Sequence, residues 1–344
     1  MISELVTKLQ GKKDLTYDEM CMAMTEILAG NITTGETADF VAGLAEKGET
    51  DDELLAMLEK MQEASLGINA TGAIDMCGTG GDGQRTFNVS TAASFMVAAA
   101  GGRVAKHGNY SSSGATGSAD MFEYFGYDLN QEPGQVESVL ERHGICFIFA
   151  QKFHPAMRHV AEARRQIGKK TAFNMLGPLS NPARVKNQLV GVSCEEHLHR
   201  LPAILGKRGG RKIMAVRSAD GMDELSTSSA NTVCVVDEEQ TIYSITPEEA
   251  GLHRSSPRDI QVKDKAEAVS AFARVLAGTA NRAMIETAAF NAGGGLVVAG
   301  ITDSICNGVQ LALDTIKDGR AYRLLENFVR DTGDIVKLEE VLRD

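Results

Sequence analysis

The sequence predicts an α/β protein in two parts: a small all-helical domain, then a larger α/β domain built on a mainly parallel central sheet. Three observations predict it. Residues 1 to about 70 carry apolar positions at three- and four-residue spacing throughout. From "AIDMC" onward, short apolar runs alternate with amphipathic stretches, the texture of strands joined by crossover helices. A chain of 344 residues also exceeds what one small core organises.

The first part reads as four helices, "ISELVTKLQ", "TYDEMCMAMTEILAG", "TTGETADFVAGLAEKG" and "TDDELLAMLEKMQEAS". Three of them open with a capping box: Thr16 with Glu19, Thr33 with Glu36, and Thr50 with Glu53. In such a box the hydroxyl accepts the third N–H of the helix while the glutamate accepts that of the cap residue. The second part reads as the strands "AIDMC", "RVAKH", "ICFIFA", "QLVGV", "KIMAVRS" and "TVCVV", separated by helices such as "PGQVESVLERHG" and "EEHLHRLPAILGK". The stretch "HPAMRHVAEARRQIG" is a helix, basic on one side, that belongs with the N-terminal helices. The expected division is therefore residues 1–70, completed by helices within 152–185, and an α/β domain of residues 71–151 and 186–344.

A formal net charge of -11 excludes a general nucleic-acid or anionic-membrane surface, which needs clustered Lys and Arg. A small anionic ligand would instead need a local basic pocket. The six cysteines, Cys21, Cys77, Cys146, Cys194, Cys234 and Cys306, form no C-x-x-C pair and read as reduced core residues of a cytoplasmic protein. No run approaches the roughly 18 uninterrupted apolar residues of a membrane span, and Met1 opens an amphipathic helix and not a signal sequence.

Four loops carry candidate chemistry. "DMCGTGGDGQRTFNVST" holds a literal G-x-G-x-x-G at Gly78, Gly80 and Gly83. A dinucleotide fold needs its helix to open at the third glycine and an acid about 20 residues on. Here the first helix start is Ser90-Thr91, the chain at the acid's position reads "AAAGGRV", and Asp82 would repel a pyrophosphate unless a cation lay between. The loop is therefore a phosphate cradle, with the Ser90 and Thr91 hydroxyls and N–H groups at a helix start. "KHGNYSSSGATGSAD" begins with Lys106 and His107 and is crowded with donors, among them Asn109 and four serines, suited to a phosphorylated sugar. "DGMDELS" pairs Asp223 and Glu224 on a strand-end turn, a natural seat for Mg²⁺ shared with phosphate oxygens. "RRQIGKKTAFNMLGPLSNPA" offers Arg164 or Arg165 to a carboxylate, and Met175, Leu176 and Pro178, around Gly177-Pro178 and Asn181-Pro182 turns, as an apolar wall for a ring.

Taken together, "GTGGDG..TFNVSTAA", "AKHGN", "GSAD", "HPAM.HV...RR..G", "FN.LGPL.NPA" and "DG.DELS" resemble the anthranilate phosphoribosyltransferase family in order and spacing up to about residue 330. The resemblance implies a nucleoside-phosphorylase-like α/β domain and a homodimer formed through the helical parts. The implied reaction moves phosphoribosyl from 5-phosphoribosyl 1-pyrophosphate to the amine of anthranilate with Mg²⁺, two ions per site. It implies that Gly78, Gly81, Asp82, Thr86, Asn88, Ser90, Thr91, Lys106 and Ser118 surround phosphoribosyl pyrophosphate. Ser90, Asp223 and Glu224 would hold Mg²⁺, and Gly78, His107, Asn109, Arg164 and Pro178 would meet anthranilate. No residue is implied as a general acid or base, since an aromatic amine is already neutral at pH 7. The chain departs from the family at Tyr110, where an arginine is usual, and in the "SSSGAT" that follows. Two other readings remain: a pyrimidine-nucleoside or nucleotide phosphorylase of the same fold, disfavoured by "LGPLSNPA" and "HPAM...RR", and a non-catalytic nucleic-acid-binding paralogue, disfavoured by the charge.

Overall fold

The six apolar runs read as strands all lie in one sheet, and a seventh strand adds its edge. The computed structural model describes residues 1–111 and 116–343. Its strands are β1 (Ile74–Gly78), β2 (Val104–Gly108), β3 (Ile145–Phe149), β4 (Asn187–Gly191), β5 (Lys212–Ser218), β6 (Asn231–Val236) and β7 (Gln240–Ile245). They stand in the order β3-β2-β1-β4-β5-β6-β7. From β3 across to β5 the neighbours are parallel, and β6 and β7 continue antiparallel. The chain runs outward from β1 to β3, then returns to the other side of β1 with β4. That reversal makes the β1–β4 neighbourhood a switch point, where the carboxyl ends of the strands leave a crevice. The glycine loop follows β1 and the acidic turn follows β5, both at that end.

The helices are α1 (Ile2–Gln10), α2 (Tyr17–Ala29), α3 (Thr34–Lys47), α4 (Asp51–Glu63), α5 (Val89–Ala99), α6 (Ser118–Tyr124), α7 (Pro133–His143), α8 (Ala150–Phe153), α9 (Arg158–Ile167) and α10 (Ala172–Leu179). After β4 come α11 (Glu195–Lys207), α12 (Lys265–Leu276), α13 (Arg282–Val298), α14 (Ile305–Lys317), α15 (Arg320–Thr332) and α16 (Ile335–Arg343). The chain forms two compact units, one of Met1–Gly67 with Ala150–Arg184, the other of Ile68–Phe149 with Val185–Asp344. In the second unit α5 is buried along most of its length and packs on α13, with the Phe95 ring against those of Phe122, Phe272 and Phe328. None of its helices, nor those of the other unit, is long and apolar enough to cross a membrane among the described residues.

In the helical unit α1 packs on α3, α2 on α4, and α3 and α2 on the basic helix α9. All three capping boxes form as the sequence predicts. The third does more than cap. Glu53 is fully buried; its Oε2 takes the Thr50 N–H at 2.7 Å and the Lys47 ammonium at 2.9 Å, and its Oε1 takes the Leu15 N–H at 2.8 Å. One carboxylate thus ties the α1–α2 connection and the end of α3 to the start of α4. Glu53→Ala leaves the Lys47 charge and two N–H groups without it, and is expected to cost about 3–5 kcal/mol in urea unfolding, where exposed Glu36→Ala costs about 1. Equal losses for the two would contradict this assignment.

Candidate active site

The glycine loop leaves β1 at Gly78 and turns through Gly80, Gly81 and Gly83, all at positive φ. The turn carrying Asp223 and Glu224 lies across it. Gly80 donates its N–H to Asp223 Oδ2 at 2.6 Å. A Cβ on Gly78 would stand 2.3 Å from that same Oδ2, and one on Gly191, at the end of β4, 1.5 Å from the Asp223 carbonyl oxygen. Gln84 closes the arrangement by donating Nε2 to the Asp220 carbonyl at 2.9 Å. Asp82 accepts the Gln84 N–H at 3.1 Å within the loop, and Thr86 forms a bridge to Gln261.

Helix α5 begins one residue earlier than the sequence reading has it, at Val89, with Asn88 as N-cap but no side-chain cap bond. The Ser90 N–H, expected to be open, is taken by Glu224 Oε1 at 3.1 Å. A carboxylate from another loop therefore caps the helix, favoured there by the positive end of its dipole. Thr79 Oγ1, Asn88 Oδ1 and Thr91 Oγ1 are buried and meet no hydrogen-bond partner among the described residues. Buried oxygens of this kind call for a partner that the chain itself does not supply, water or a ligand.

Lys106 and His107, read both as the end of the strand "RVAKH" and as the opening of the loop, belong to β2 and are buried. A buried ammonium needs acceptors, and Lys106 Nζ donates to the Met76 carbonyl at 2.7 Å and Ser90 Oγ at 3.2 Å. The loop itself is shorter than the sequence reading, since Ser118 already opens α6. Ser118 packs on Gly108, whose Cβ would fall 2.0 Å from its Oγ. Asn109 Oδ1 accepts the Tyr110 N–H at 2.8 Å. Tyr110 is anchored at both ends, its hydroxyl donating to Glu123 at 2.9 Å and its ring lying edge-on to Phe149 at 5.3 Å. Ser112 and Ser113, two of the loop's expected phosphate donors, lie outside the described residues.

The remaining expected residues stand on the helical unit. Arg164, in α9, is half-buried, with its guanidinium 5.7 Å from the Phe173 ring centroid and 3.4 Å from Asn174 Oδ1. Burial pulls its pKa down from the ordinary value. Arg165 is exposed and pairs with Glu162. Gly177-Pro178 is not a turn: both residues lie in α10, close to its end at Leu179. Leu176 and Met175 are buried in the core of this unit, leaving Pro178 the more accessible of the proposed wall. Among the cysteines, Cys146 and Cys234 are core residues and Cys306 is exposed, contrary to expectation; none of the six forms a disulfide among the described residues.

Electrostatics set the loops of the α/β unit apart. Burial, then the charge of Asp82, lifts the Asp223 carboxyl from the ordinary 3.8 up to about 6. Burial, then the charges of Asp223 and Asp82, pushes Glu224 well up as well. Burial lowers Lys106, against the charge of Asp75. Among the described residues no three His, Cys, Asp or Glu side chains form a complete metal cage. Two mutually repelling, all-oxygen carboxylates beside a phosphate-type loop suit a hard divalent ion that takes its other ligands from substrate and water. Sequence reasoning missed Asp220, which accepts Ser218 Oγ at 2.5 Å, Ser226 Oγ at 2.7 Å, Ser228 Oγ and the Met222 N–H at 3.2 Å. The density of hydroxyls in "ELSTSSAN" is the signal for it.

The chain matches the glycosyl transferase family a/b domain over residues 70–322 and the helical bundle domain of the same family over residues 3–65. It is 63% identical to the anthranilate phosphoribosyltransferase of Nitrosopumilus maritimus over 99% of both chains. The chain belongs to the anthranilate phosphoribosyltransferase family. A second relative of that name, from Cenarchaeum symbiosum, is 47% identical over 97% of this chain and 98% of its own. The crystal structure of the Thermus thermophilus anthranilate phosphoribosyltransferase superposes with a TM-score of 0.88 at 36% identity, covering 97% of this chain and 99% of that one. The Saccharomyces cerevisiae enzyme, solved in complex with PRPP and Mg, shares the fold at a TM-score of 0.86 and 24% identity over 98% of each chain.

For a carboxyl whose folded-state pKa is raised, the folded chain holds the proton more tightly than the unfolded one. The stability it permits below about pH 4 is then lost as pH rises through about 6. Asp223 and Glu224 act in the same direction. The metal-free chain is therefore expected to melt lower at about pH 7.5 than at about pH 5, with Asp223→Asn narrowing the gap. A gap unchanged by the substitution would count against the assignment.

Proposed function

We infer that this chain transfers the 5-phosphoribosyl group of 5-phosphoribosyl 1-pyrophosphate to the amine of anthranilate, giving N-(5-phosphoribosyl)anthranilate and pyrophosphate. The observation that carries the reading is the clasp between Asp223–Glu224 and the N–H groups of Gly80 and Ser90. It stands at the carboxyl ends of the strands, in a chain 63% identical over its length to an enzyme of that name.

Loss of pyrophosphate leaves a positively charged sugar carbon, so the demand is for charge stabilisation of the leaving group and placement of the amine. In this reading Gly78, Gly81, Asp82, Thr86, Asn88, Ser90, Thr91, Lys106 and Ser118 bind phosphoribosyl pyrophosphate. The unmet oxygens of Asn88 and Thr91 and the buried Lys106 ammonium support that division. Ser90, Asp223 and Glu224 hold Mg²⁺, in two ions per site; bound there, it neutralises pyrophosphate charge. Arg164 takes the anthranilate carboxylate, with Gly78, His107, Asn109 and Pro178 meeting the rest. One amide and one ring beside the Arg164 guanidinium use few of its five N–H groups, and donors remain for a ligand. The reading includes a homodimer formed through the helical unit and a cytoplasmic location, the latter supported by six cysteines outside any disulfide.

The assay is loss of anthranilate fluorescence with phosphoribosyl pyrophosphate and Mg²⁺; no loss at any enzyme concentration rejects the function. Asp223→Asn with Glu224→Gln is expected to lower Mg²⁺-dependent turnover by about a hundredfold or more while circular dichroism stays unchanged. Turnover that survives at limiting Mg²⁺ would remove the pair from metal binding. Arg164→Ala is expected to raise KM for anthranilate by the equivalent of about 1.5–3 kcal/mol and to leave that for phosphoribosyl pyrophosphate nearly unchanged. Equal rises would make Arg164 structural.

A further inference from the structure

Asp75 is fully buried in β1 and belongs to none of the groups assigned above. A carboxylate inside a sheet keeps its charge only where donors and an opposite charge surround it. Its Oδ1 accepts the N–H of Met76 at 2.8 Å and that of His107, across in β2, at 3.2 Å. The Lys106 charge interacts with it favourably.

The backbone explains why a strand N–H meets a side chain here. β1 and β4 pair residue by residue from Ile74↔Asn187 to Gly78↔Gly191, and β2 and β3 from Val104↔Ile145 to Gly108↔Phe149. Among the described residues, β1 and β2 pair at Ile74↔Val104 alone. Beyond that point two side chains cross in opposite directions. The Asp75 carboxylate of β1 takes the His107 N–H of β2, and the Lys106 ammonium of β2 takes the Met76 carbonyl of β1. Each replaces a backbone partner that the parted strands no longer supply. The same ammonium reaches Ser90 Oγ at the start of α5. An apolar residue at position 75 would leave the His107 N–H buried without that acceptor. Closing the ladder to satisfy it would return the Met76 carbonyl to β2 and withdraw the seat of Lys106.

We propose that Asp75 is a positioning residue for phosphoribosyl pyrophosphate: by accepting the His107 N–H it keeps β1 and β2 parted and holds the Lys106 ammonium at the Ser90 side of the phosphate cradle. The inference rests on the assignment of Lys106 to phosphoribosyl pyrophosphate made above. Its test is calorimetric titration of phosphoribosyl pyrophosphate with Mg²⁺ into the full chain, for Asp75→Ala, Asp75→Asn, Lys106→Gln and the Asp75→Ala, Lys106→Gln double variant. Lys106→Gln is expected to weaken binding, and Asp75→Ala to weaken it about tenfold or more. Asp75→Asn keeps an oxygen that accepts the His107 N–H and is expected to bind within about threefold of the parent. The double variant should bind within about twofold of Lys106→Gln, because the two residues act as one unit. Should the Ala variant not fold, Asp75→Glu displaces the acceptor by one methylene while retaining its charge, and is expected to show the same loss. Losses that add in the double variant, or an Asn variant that binds as weakly as the Ala variant, overturn the role of Asp75 and leave Lys106 standing. A Lys106→Gln variant that binds as tightly as the parent overturns both assignments.

Discussion

The acidic turn lies so close to the ends of β1 and β4 that neither strand end can carry a side chain. Gly78 and Gly191 leave room for the Asp223 side chain and the Asp223 backbone, respectively. These two strands flank the switch point of the sheet, so the allowance falls where a parallel sheet offers its crevice. With the turn seated there, one carboxylate reaches the glycine loop and its neighbour reaches the first turn of α5. The loop, the helix start and the acidic pair are therefore placed by one steric condition, and a single methyl group at either glycine would disturb all three.

Within that turn, two carboxylates three residues apart are treated in opposite ways. Burial opposes the charge on Asp220, yet the hydroxyls of Ser218, Ser228 and Ser226 and the Met222 N–H hold its carboxyl below the ordinary range. Asp223 receives the Gly80 N–H and its own, faces Asp82, and is driven up by burial. The protein surrounds Asp220 with donors and gives Asp223 fewer of them. Such a division is how a buried polar network can be both a rigid scaffold and a receptive site.

The helical unit is the most legible part of the chain, because each capping box is a local device whose partners lie three residues apart. The apolar strands are legible for the same reason. What escapes is non-local. The cap of α5 comes from Glu224, 134 residues away in sequence, so no window of sequence around Asn88 contains it. Lys106 and His107 read both as the end of the strand "RVAKH" and as the opening of a donor-rich loop; what settles them in the strand lies on another strand, the Met76 carbonyl and Asp75 that accept from them. Gly177-Pro178 reads as a turn by composition, yet both residues lie inside α10, which runs on to Leu179. β7 escapes because an edge strand exposed along nearly its whole length has little burial pattern to display.

The helical unit is discontinuous: α1–α4 come first, and α9, against which α2 and α3 pack, follows only after residues 68–149. During synthesis the N-terminal helices leave the ribosome with capped ends but with the faces meant for α9 uncovered, while β1, β2 and β3 are still being made. The sheet waits in turn, since β4 must pair with β1 across the whole returning segment. Neither unit can finish before the other has begun, and the earliest helices must remain soluble on their own capping and mutual packing until the chain comes back.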